Sequence, residues 1–173
     1  MTMKDKDNLN WSAADFFRKL TETNKMAVEA GAVFCRVSGL QGYQDAIAGL
    51  KKRKPVVAVS DVSKGTLFTD NTPHYDRLKM VFFAWPHAVD SMEDRQKAME
   101  KIRELFRQFM TVFIREKVRL EESNIYLDQQ ISLNEIDKYI FSGMAAAYCH
   151  IQITTYTNLE FDESEWIETP TVL

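Results

Sequence analysis

Three histidines, two cysteines and a scatter of carboxylates are the groups in this 173-residue chain that could do chemistry. His87 has the most suggestive setting. It follows Trp85-Pro86, where the apolar run of RLKMVFFAWP gives way to a charged, periodic segment, and Asp90 stands three residues on. An imidazole serves as a general base only with a partner that orients it and a substrate within hydrogen-bond reach. Asp90 is better accounted for as a helix cap, so the junction reads as a strand-to-helix corner. The alternative kept open for His87 is a small-ligand or enzymatic pocket that it would line with Tyr75 and Asp76.

The other reactive types are weaker still. His74 and His150 are isolated, and no H-x-x-x-H or C-x-x-C spacing exists, so a metal site would need ligands gathered by the fold alone. Ser60-Asp61 and Ser63 lie near Lys64 without a G-x-S-x-G elbow. GLQGYQ (39–44) lacks the strand–helix frame of a pyrophosphate cradle. Glu121-Glu122 and Asp162-Glu163 fall where solvated ends are expected. The dense basic run KKRK (51–54) reads as a helix end that complements the macrodipole before Pro55, rather than as a phosphate contact. No catalytic, cofactor-binding or metal-binding residue is assigned, and a non-enzymatic protein is expected.

Composition narrows the classes further. Apolar residues make up 45% and charged residues 27%, and eleven Phe, six Tyr and three Trp offer more burial than a disordered chain leaves in water. A net charge of −3 supplies no global field toward nucleic acid or an anionic membrane, so no specific nucleic-acid partner is expected. The apolar runs are far shorter than the roughly 20 residues a membrane span needs. MTMKDKDNLNW lacks the apolar core of a secretory signal, so Cys35 and Cys149 are expected as reduced thiols, with a disulfide between them disfavoured.

The elements that must position these groups read as one α+β domain over residues 1–173, with 1–10 and 158–173 as flexible or docking tails. Ser12 and Asp15 predict a helix N-terminus, and Trp11, Ala14, Phe17, Leu20 and Ala27 carry an apolar stripe up to Gly31. Strands are predicted at 32–38 and 54–62, with a short helix or turn between them. Residues 65–70 are expected to pair with 54–62 as a hairpin, and 75–85 alternates as a further strand. A long helix is predicted from 91 to about 119. Its cap is Asp90 or Ser91, and its stripe is Met92, Met99, Ile102, Phe106, Phe109 and Phe113. Two strands, 124–133 and 143–156, follow. Runs of strands with few crossover helices predict one mixed or mainly antiparallel sheet with two long helices on one face.

The element order and several stretches resemble the tail-terminator and tail-completion (neck) proteins of phages and prophages. The resemblance runs over residues 12 to 157. It is carried by the Pro-led strand KPVVAVSDV, the aromatic strand HYDRLKMVFFAW, the charged helix SMEDRQKAMEKIRELFRQFM and the closing LNEIDKYIFSGMAAAYCHIQITTY. The chain departs from that pattern in the small-residue run Met144-Ala145-Ala146-Ala147 and in its acidic end. The resemblance implies a structural subunit of a phage-like tail or neck. Such a subunit assembles with its own copies into a ring or connector, contacts other tail or neck proteins, and resides in the host cytoplasm or the virion.

Overall fold

Ser12 opens the first helix: its hydroxyl accepts the Asp15 N–H at 3.2 Å, satisfying a donor that has no partner inside the helix. The computed structural model describes residues 11–48, 53–61, 64–136 and 143–167. Helix α1 spans Ala13–Thr23 and buries Phe17 and Leu20. The chain does not continue as one helix to Gly31. Asn24 leaves helical geometry and its side chain caps Ala27, starting a separate helix α2, Lys25–Glu29. Asn24 also donates to Gln108 at 2.8 Å, which ties the break to the long helix below. Gly31, at φ +67°, ends α2, and the bonds from Gly31 N–H to Val28 and from Ala32 N–H to Ala27 close the turn.

Strand β1 (Val33–Val37) runs parallel to β2 (Val56–Ser60), with helix α3 (Gly39–Ala48) between them in sequence. β3 (Lys64–Phe68) pairs with β4 (His74–Pro86), not with β2 as expected from their proximity in sequence. β2 takes the upper part of β4, from Val81 to Ala84, and β3 takes the lower part, from His74 to Leu78. Helix α4 (Met92–Glu121) follows, about 45 Å long at 1.5 Å per residue. Its cap is Ser91, which accepts the Asp94 N–H at 3.1 Å; Asp90 has no part in this bond. Of the predicted strand at 124–133 only β5 (Ile125–Leu127) forms; 128–133 are not strand, and a separate piece, β6 (Asn134–Ile136), follows. Both pair with β7 (Met144–Tyr156).

The result is one mixed seven-stranded sheet in an α+β fold, with order β1-β2-β4-β7-β5 and with β3 and β6 added along β4 and β7. One face carries α1 and α4, whose stripes meet Val57, Val59, Val81, Phe83, Cys149 and Ile151. Of the predicted α4 stripe, Met99, Ile102, Phe109 and Phe113 are buried and Phe106 is half-buried, whereas Met92 lies exposed at the first turn. α4 is the one long helix of the pair; α1 has 11 residues. The other face holds a smaller core, where Tyr43 of α3 stacks on Phe82 with ring centroids 4.6 Å apart.

The alanine run of β7 has a packing reason. Ala145 stands opposite Trp85 and Ala147 opposite Phe83, so small side chains leave room for large ones across the ladder. Gly143, just before this run, has φ +71°, and a Cβ there would meet the Arg53 guanidinium. Gly143→Ala is therefore expected to lower stability by about 1–2 kcal/mol from the backbone alone, read as a lower urea midpoint with unchanged slope.

Candidate interaction surface

His87 sits just past Pro86, 9% exposed, with its N–H bonded to the Gly143 carbonyl at 3.0 Å. Its Nδ1 lies 2.7 Å from the Ala88 carbonyl and so donates to it, leaving Nε2 buried with no partner among the described residues. The carboxylate that enters this corner is Asp94, accepting the Ala88 N–H at 2.6 Å. It holds the loop and does not orient the imidazole. Tyr75 and Asp76 lie at the opposite end of β4, about 35 Å away at the rise of an extended strand. The three residues kept open as one pocket are thus not brought together.

The remaining candidates have structural partners. Asp76 accepts from Gln152 at 2.9 Å and from Thr154 at 2.6 Å, a cross-strand clamp between β4 and β7. The Ser60 hydroxyl accepts the Met80 N–H. His74 stacks on Phe68, and His150 meets Tyr148 edge-on. GLQGYQ lies within α3. Of KKRK, Lys51 and Lys52 lie outside the described residues, as does Ser63, while Arg53 and Lys54 are exposed. Cys35 belongs to the α3-side cluster and Cys149 to the other, with β2 and β4 between their strands, so the fold keeps them apart. Burial pushes the Cys149 thiol up to about 12, far from the range of a reactive thiolate. Among the described residues no group of three or more His, Cys, Asp or Glu is arranged to hold a metal ion. No helix of those residues is long and apolar enough to cross a membrane.

What the fold does leave open is surface at the lower end of the sheet. All five residues of β3 are exposed, and the strand is paired only to β4. Leu67 is 47% and Phe68 43% exposed, and Tyr75 and Tyr156 of the neighbouring strands are exposed beside them. The Tyr75 ring lies across Gly65, where a Cβ would meet its hydroxyl end. An edge strand is a row of unpaired backbone donors and acceptors, and natural sheets blunt such edges with charge or proline. β3 carries Lys64 at its start and then presents Thr66, Leu67 and Phe68 unprotected.

The helical side is laced with charge. Arg107 and Gln108 donate to the Glu104 carboxylate at 2.6–2.8 Å and hold it at about 2, against an ordinary 4.5. The hydrogen bond from Arg119, helped by the Trp11 indole, lowers Glu116, and the Ser12 bond with the Arg18 and Arg36 charges lowers Asp15. Each folded-state value is depressed, so these groups stabilise the protein above the unfolded carboxyl range. That contribution is lost as pH falls through the folded values. The thermal midpoint is expected to drop between pH 4.5 and about 2. The drop should be shallower in Glu104→Gln and in high salt, since these charges are exposed and screened.

No protein-family model matches this chain, and no curated protein is detectably similar to it.

Proposed function

We propose that the chain is a structural subunit that works by self-association, assembling into a ring or connector of the phage tail-terminator or neck type. The observation that carries this reading is the exposed β3 edge with Leu67, Phe68, Tyr75 and Tyr156 around it. Exposed apolar patches of this kind, placed on the free edge of a strand, are where proteins meet partners. The resemblance of residues 12–157 to tail and neck proteins supplies the class of assembly. The separation of His87 from Tyr75 and Asp76, and the structural partners of the other polar candidates, are in keeping with a molecule that acts through its rim.

Sedimentation velocity over a range of concentrations, with negative-stain imaging of the heaviest species, tests the reading. A closed ring or a defined oligomer is expected. A monomer at every concentration overturns it.

A further inference from the structure

Residues beyond β7 form a distinct knob. From Asn158 to Ile167 every residue is exposed, including Leu159, Phe161, Trp166 and Ile167. The segment is nevertheless shaped. Asp162 caps a short 3₁₀ turn, Glu163–Glu165, by accepting the Ser164 N–H at 2.9 Å, and Phe161 stacks on Trp166 with centroids 6.1 Å apart. Four carboxylates, Glu160, Asp162, Glu163 and Glu165, lie in the same stretch of chain as the aromatic pair. A preformed aromatic knob within an acidic stretch loses less conformational entropy on docking than a random tail.

A receptor of the opposite character lies on the same molecule. At the start of α1 two neighbouring concavities share Trp11 and Ser12 in their linings and are taken together as a trough. The larger, about 580 Å³, runs between α1 and α4 and is floored by Phe16, Leu20, Val112, Leu120 and Ile125. The smaller, about 240 Å³, holds Arg36, Arg77 and Lys79. Across both, five cations face three carboxylates. Lys79 donates to the carbonyls of Ser60 and Asp61. Burial, and then the nearby Arg77 charge, holds its ammonium below the ordinary range. Arg36 pairs with Asp15 and Arg119 with Glu116, and the remaining excess of positive charge beside an apolar groove suits an anionic, aromatic ligand.

We infer that residues 159–167 of one copy seat in this trough on the next copy. Phe161 and Trp166 enter the apolar half between α1 and α4, and the carboxylates lie over Arg36, Arg77 and Lys79. The inference rests on the self-association proposed above and adds a second contact to the one at the β3 edge. Because knob and trough are different patches of one chain, the contact is head-to-tail, the kind that closes into a ring when the rotation permits.

The test uses the full chain, comparing wild type with Phe161→Ser/Trp166→Ser and with Val112→Arg, all at exposed positions so that folding is retained. Both variants are expected to weaken assembly by about tenfold or more in sedimentation velocity. The charge reversal Lys79→Glu is expected to weaken it too, with recovery when combined with Glu163→Lys. Iodide quenching assigned to Trp166 by comparison with Trp166→Phe should fall as concentration rises. Variants that assemble as wild type does overturn the knob-and-trough contact and leave self-association standing. A monomeric wild type overturns both. Protection of Trp166 that is independent of concentration means the knob folds onto its own trough, which overturns the exchange between copies.

Discussion

Replacing Phe109 by alanine is expected to remove about 3–5 kcal/mol of stability, the range for truncating a fully buried aromatic ring. Phe109 is 1% exposed and lies where α4 meets both α1 and the sheet. Its ring sits 6.1 Å from Phe17 and 6.0 Å from Phe83, centroid to centroid. Truncation removes buried apolar area and opens a cavity between three elements that cannot all collapse onto it. Each is held elsewhere: α1 through the Asn24–Gln108 bond, α4 by its own length, and Phe83 by the ladder with β7. Chemical denaturation should show a much lower midpoint with a slope close to wild type. A loss below about 1 kcal/mol would mean that the two helices repack freely, contrary to the close packing of a protein core.

The second large effect is expected at the lower sheet edge. Leu67→Lys combined with Phe68→Lys places two charges where the proposed assembly buries apolar side chains. Burying an unpaired ammonium costs several kcal/mol, and each 1.4 kcal/mol is tenfold in affinity, so dissociation constants should rise by about a hundredfold or more. Both side chains are exposed, so the monomer should keep its melting temperature within a few degrees. Loss of assembly without loss of folding, read by sedimentation and circular dichroism on the same sample, is the expected result. Assembly at wild-type strength would place the contact away from β3.

Several of these features could be read directly from residue order. The α4 stripe follows from Met99, Ile102, Phe109 and Phe113 at steps of 3, 4 and 7, because a 30-residue helix on one sheet face can bury only one stripe. The alternation of β7 is equally plain: Ala145, Ala147, Cys149, Ile151 and Ile153 all point to the helical face. The break at Asn24 was less visible, since the apolar spacing of Phe17, Leu20 and Ala27 runs on through it. The available clue was an Asn three residues before Ala27, a capping position in mid-pattern. The partner of β3 was misread because closeness in sequence favours a hairpin with β2. The decision belonged to the length of β4, whose lower half offers a free edge that β2 does not reach. Met92 was assigned to the stripe by spacing alone, yet in the first turn of α4 it lies beyond the core. The trough and the knob were illegible in the sequence. The trough is made by α1, α4 and residues of five strands meeting, and no local pattern encodes such a junction.

The two central strands, thirteen residues each and paired from end to end, divide the molecule into unequal halves. Above, Val81–Ala84 are walled by β2, β7 and buried rings on both faces. Below, β4 is flanked by the wholly exposed β3 and β7 by the three-residue β5, most side chains of β4 are only half-buried, and Tyr75 and Tyr156 are exposed. Local opening draws on the least-buried segments first. Fraying therefore begins at the contact end and leaves the upper half zipped. The rim is free to adjust its twist against a neighbour while the far half acts as a rigid anchor.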